Sequence, residues 1–177
     1  MPLLLAVAVA LAACASAPPA GPAAQTSPRP ALAARSAVIP GAARQVTLSL
    51  NYGMNAGGRK PPAPVTVTDA GKVSGVAWLV DHLPPWPPGT FNCPASNGMA
   101  LNLAFRAHPG GPALATAVVG LSGCGGTDVT VSARDYSMGE PGSGRRFAVK
   151  VLAAAGVPWT LPPFEWPASP ATVTPRP

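Results

Sequence analysis

Proline decides where this chain can form regular structure. Its ring fixes φ and removes a backbone donor, so clustered prolines end helices and interrupt strand ladders. Of the 177 residues, 25 are proline and 19 glycine, together about a quarter, a level associated with disordered chains. Their placement leaves room for a core. The prolines crowd into 18–40, 61–64, 84–94 and 158–177, and the segments between carry clear apolar periodicity. Aromatic residues make up 6% of the chain, so that core must be built from Val, Leu and Ala.

The first periodic segment is Gln45 to Tyr52, where Val46, Leu48, Leu50 and Tyr52 alternate with Thr47, Ser49 and Asn51. Alternation with period two is the mark of a half-buried strand. Val65 to Thr68 is a second short extended segment. Asp69 reads as a helix N-cap, because its carboxylate can accept from free first-turn amides. Val73, Val76, Ala77, Val80 and Leu83 then follow at spacings of three and four, which predicts one apolar stripe on a helix over 70–83. Pro84-Pro85 ends it, and Trp78 falls off the centre of the stripe. Leu101, Leu103 and Phe105 mark a third strand, and Leu114 to Leu121 a fourth, joined through His108-Pro109-Gly110-Gly111-Pro112. In that fourth strand Ala117, Val119 and Leu121 share one face, and Thr116, Val118 and Gly120 the other. Gly125-Gly126 releases the chain into a fifth strand marked by Val129 and Val131. Arg145 to Ala155 reads as a terminal helix closed by Gly156 and Pro158, or as a strand, since its branched residues allow either. The expected fold is α+β: a small antiparallel sheet of four to five strands with one or two helices packed on one face.

The N-terminus supplies an address. Leu3 to Ala13 is an unbroken apolar run, far short of the ~20 residues that cross a bilayer, and reads as a secretory signal. Leu11-Ala12-Ala13-Cys14 resembles the lipobox of bacterial lipoproteins. That resemblance implies cleavage before Cys14, lipid on its sulfur, and export to the outer side of the cell membrane or release beyond it. The n-region, Met1-Pro2, lacks the usual Lys or Arg, so the expectation is either an atypical signal or a start site upstream, the second being the simpler reading. The expected organisation is a signal peptide over 1–13, a lipidated disordered tether over 14–44, the α+β domain over 45–157 and a Pro-rich tail over 158–177.

With Cys14 assigned to lipid, Cys93 and Cys124 remain as an even pair in an oxidising compartment, where such a pair is normally a disulfide. The predicted hairpin tests this. With Gly110-Gly111 at its loop, it pairs residues whose numbers total about 221, and the two cysteines come within a few residues of that rule. They belong at the same open end.

The layout resembles a group of uncharacterised, mostly actinobacterial lipoproteins and secreted proteins. The shared marks are the strand Val46–Tyr52, the helix Asp69–Leu83, Cys93-Pro94, the Leu-x-Leu-x-Phe strand Leu101–Phe105, the turn at Gly110-Gly111, and Gly123-Cys124. The resemblance implies export and the disulfide, and no assigned chemistry. Cys93-Pro94 ahead of a hairpin whose far end carries Cys124 is also similar to the subtilisin-inhibitor-like protease inhibitors. In that family the reactive bond follows the Cys-Pro, which would place Ala95-Ser96 at the contact. The chain departs from it in lacking the second disulfide and in running on from Cys124 to Pro177.

The net charge of +6 is spread over 12 basic residues with no run longer than two. Nucleic-acid binding wants clustered positive charge, so none is expected. Neither His82 nor His108 sits at a metal-ligand spacing, and no metal or cofactor is expected. A hydrolase reading would place His82, beside Asp81, against a serine, yet no Gly-x-Ser-x-Gly elbow is present. The aromatic residues Trp78, Trp86, Phe91, Trp159, Phe164 and Trp166 gather around the proline-rich stretches, and form the candidate binding surface. The reading is a non-enzymatic envelope lipoprotein with the membrane and an envelope component as partners. A protease inhibitor with its contact at Ala95-Ser96 is one alternative, and a small extracellular hydrolase using His82 the other.

Overall fold

The computed structural model describes residues 37–54 and 59–163. Six strands form one antiparallel sheet in the order β2-β1-β3-β4-β5-β6. They are β1 (Gln45–Asn51), β2 (Val65–Val67), β3 (Ala100–Arg106), β4 (Ala113–Gly120), β5 (Thr127–Val131) and β6 (Arg134–Met138). Helix α1 (Ala70–Asp81) lies between β2 and β3, and α2 (Gly144–Ala155) follows β6. β1 pairs antiparallel with both β2 and β3, so α1 carries the chain over β1 between two strands of like direction.

Alternation fixes which face is covered. Val46, Leu48 and Leu50 face Phe105, Leu103 and Leu101 across β1–β3, and all six are buried. Ala115, Ala117 and Val119 continue this inner face into β4, and Val129 into β5. Val73, Val76 and Val80 of α1, with Phe147, Ala148, Val151, Leu152 and Ala155 of α2, complete the same core. The opposite face carries no helix residue of that core. One row across it, set by the register, runs Thr66, Thr47, Ala104, Thr116, Thr130, Asp135. It is stitched by hydrogen bonds between the hydroxyls of Thr47 and Thr66 (3.0 Å) and from Thr130 to the Asp135 carboxylate (2.7 Å).

The helix over 70–83 is present and ends slightly earlier, at Asp81. Asp69 caps it, its Oδ1 accepting from the Lys72 amide at 2.9 Å. The chain at 144–155 is helical, and Gly156 ends it in the left-handed conformation at φ 67°, with the Val157 amide donating back to the Leu152 carbonyl at 2.9 Å. The hairpin pairs Leu101 with Val119 and Leu103 with Ala117, one residue off the expected register, with an irregularity between Phe105 and Arg106. Cys93 and Cys124 are bonded at its open end, Cα atoms 5.1 Å apart.

The sheet has six strands where four to five were expected. The missing one is β6, joined to β5 by a two-residue turn, Ser132-Ala133, with φ at 48° and 62°. Such turns normally announce themselves by Asn-Gly or Asp-Gly, and this one does not. Gly125-Gly126 is also more than a release point. A Cβ on Gly125 would overlap the Gly120 carbonyl, and one on Gly126 would overlap the Trp86 ring. The packed body reaches past 45–157 on both sides, since Val38, Ile39 and Leu161 are buried.

Candidate functional site

The segment 84–98 is irregular in sequence and held at several points in space. Pro85 bridges Met138 of β6, the Trp86 amide donates to the Ser137 carbonyl at 2.9 Å, and the Gly139 amide to the Pro84 carbonyl at 2.6 Å. The Trp86 ring covers Gly126 and meets Phe91 edge-on, with centroids 5.7 Å apart at 78°. Beyond Phe91 the disulfide ties Cys93 to the loop after β4.

Ser122, buried in that loop, holds the other side. Its hydroxyl lies 3.0 Å from the Ser96 hydroxyl and accepts from the Asn97 amide at 3.3 Å. The Asn97 side chain takes the Met99 amide at 2.9 Å, and the Asn97 carbonyl takes the Met54 amide at 2.9 Å. Between these anchors Asn92, Cys93, Pro94, Ala95 and Ser96 are all exposed. The backbone amide and carbonyl of Ala95 bond to no described residue. A rigidly held stretch with free amide and carbonyl groups can pair with the main chain of a partner, and its fixed geometry lowers the ordering cost of doing so.

His82 lies exposed at the end of α1. Its Nδ1 is 2.8 Å from the Trp78 carbonyl and its ring stacks on Trp78, with centroids 4.1 Å apart. Asp81 is turned to a different task. Its Oδ1 accepts from the Val38 and Ile39 amides at 2.7 and 2.8 Å, fastening the incoming chain to the helix end. Among the described residues no serine hydroxyl or carboxylate bonds to the His82 ring.

The aromatic residues separate into three places. Trp78 is 57% exposed on α1. Trp86 and Phe91 form their own pair beside β6, and Trp159 packs near α2 against the core. Phe164, Trp166 and Cys14 lie outside the described residues. The sequence reading did not single out Asp81 and Ser122 as anchors. Ser122 leaves no local signal, because its partners are some twenty-five residues away. The Asn97 turn is the exception: an Asn that bonds the amide two residues on is readable.

Comparison of the chain with protein-family models, curated proteins and solved structures gives no match. Among the described residues no helix is long and apolar enough to cross a membrane.

Proposed function

We propose that this chain is an exported, non-enzymatic binding module of the bacterial cell envelope, lipid-anchored through Cys14, whose contact element is the segment Asn92–Ser96. The observation that supports the contact element is its combination of exposure with fastening at two points, Cys93 to Cys124 by the disulfide and Ser96-Asn97 to Ser122 by hydrogen bonds. The lipobox carries the anchor. Mass spectrometry of the mature N-terminus tests it: a lipid-modified Cys14 is expected, and an unmodified Cys14 with residues 1–13 still attached overturns it. A photo-crosslinker at position 95 tests the contact in intact cells. One discrete adduct is expected, lost when both Cys93 and Cys124 are replaced by Ala. A crosslinker at position 95 that gives no adduct removes the segment from consideration.

A second reading is favoured by one detail of the same segment. Ala95-Ser96 is an exposed peptide one residue past a disulfide-held Cys-Pro, with Ser96 pinned to Ser122. That arrangement suits a protease inhibitor presenting Ala95 to the specificity pocket of its target. Inhibition of subtilisin-like proteases by the purified protein, moving toward trypsin-like proteases in Ala95→Lys, is the expected result. Rapid cleavage at Ala95-Ser96 without inhibition would exclude the reading.

A further inference from the structure

Helix α1 turns Val73, Val76 and Val80 to the core. Gly71, Ser74, Trp78 and His82, at spacings of three and four, stay exposed on its other side. Trp78 is 57% exposed, and the His82 ring is stacked on it, so a broad aromatic surface stands on the outside of the helix. That row holds no carboxylate. Asp81, next to His82 in sequence, has its Oδ1 taken by the Val38 and Ile39 amides. Beside Trp78, an open groove of about 400 Å³ lies between α1 and the incoming chain, lined by Ala37, Ile39, Pro40, Arg44, Ala77 and Trp78 among others.

The chain that leads into this groove says what covers it. Ala37, where the described residues begin, lines the groove, so the stretch from Cys14 arrives beside Trp78. The 22 residues of 15–36 reach no farther than ~80 Å even when fully extended. From Cys14 to Thr68 the chain carries five basic residues, Arg29, Arg35, Arg44, Arg59 and Lys60, and no Asp or Glu. Such a stretch is drawn to anionic lipid, and Trp is a side chain that settles at the boundary between headgroups and hydrocarbon. We infer that the outer face of α1 around Trp78 seats on the anionic surface of the membrane that holds the lipid anchor, with the indole at headgroup depth and Arg44 facing lipid phosphates. The inference rests on the anchor at Cys14 proposed above: tethering makes a weak surface contact effectively intramolecular. The contact in turn fixes which way the domain faces. It shares no residue with Asn92–Ser96.

The test uses the mature full chain, with the lipid on Cys14 verified by mass spectrometry, reconstituted into vesicles whose acyl chains carry bromine near the headgroups. One set contains phosphatidylcholine and phosphatidylglycerol, the other phosphatidylcholine alone. Tryptophan fluorescence is read in the native protein and in Trp78→Phe, and the difference isolates Trp78 from the other tryptophans. That difference signal should be at least halved by the brominated lipid in the anionic vesicles and little changed in the neutral ones. Ser74→Glu, at an exposed position that leaves the core intact, should abolish the quenching by facing the lipid with a carboxylate, and Ser74→Lys should preserve it. A lipidated chain whose Trp78 stays unquenched, equal quenching in both vesicles, or unchanged quenching in Ser74→Glu would overturn the proposal. So would a photo-crosslinker at position 78 that captures a protein and no lipid in intact cells. The two readings fail separately: an unmodified Cys14 removes the anchor, whereas a lipidated chain with Trp78 still open to water removes only the docked face.

Discussion

Helices α1 and α2 are each twelve residues long and are held in opposite ways. α1 carries its own boundaries: Asp69 caps its start, and Pro84-Pro85 stand just past its end. It buries a narrow stripe of three valines and leaves Trp78 in solvent. α2 begins without any side-chain cap, with Arg145 and Arg146 in a first turn that holds no acidic residue. Positive charge there opposes the helix dipole. Its start is fixed by its surroundings. The Gly144 amide donates to the Gly125 carbonyl at 2.9 Å, and the Gly142 amide to the Cys124 carbonyl at 3.0 Å. α2 also buries a broader face, including Phe147, Val151 and Leu152. One helix is therefore specified by neighbours in sequence and the other by a loop that the disulfide holds.

This contrast can be broken most sharply at the disulfide. Replacing Cys93 and Cys124 by Ala should cost roughly 3–4 kcal/mol on the loop-entropy estimate. Hydrogen exchange should show the first turn of α2 losing protection well before α1; equal loss in both helices would contradict the contrast. Next comes Gly144→Ala. Its Cβ would overlap the Gly120 carbonyl and lie 2.9 Å from that of Gly125, so about 1–3 kcal/mol of destabilisation is expected in urea unfolding. A neutral result would mean that the start of α2 is free to shift.

The local arm of the comparison predicts smaller effects. Asp69→Ala should cost about 1 kcal/mol through the lost cap and lower exchange protection at the start of α1 alone. Arg146→Glu, on the exposed side of α2, should stabilise by about 0.3–1 kcal/mol by matching the dipole, with the gain shrinking in high salt. A loss on that substitution would show that Arg146 makes a contact of its own.

Legibility followed the same division. The strands β1, β3 and β4 and helix α1 were readable because each repeats an apolar residue with the period of its own geometry. The Cys93–Cys124 bond was readable because hairpin register converts a position in sequence into a position in space. β6 was not, since Ser132-Ala133 makes its turn with two non-glycine residues at positive φ, a conformation that sequence alone advertises poorly. The segment 84–98 was visible only as an irregular proline-rich stretch. That it is held by Ser122, and that Trp86 and Phe91 pair within it, depends on residues distant in the chain. The aromatic set behaved likewise: shared composition did not bring Trp78, Trp86 and Trp159 to one place.

By itself, then, the sequence determined the class of fold, the helix that carries its own cap, and the cysteine pair, because each rests on short-range periodicity or on counting. The tertiary structure decided where α2 begins, which face of the sheet the two helices cover, and that one nitrogen of Arg145 is buried without an acceptor among the described residues. Those depend on backbone segments approaching closely at Gly120, Gly125 and Gly144 and on the chain folding back at Gly156. Packing of that kind is settled by space shared between distant residues, which no local pattern records.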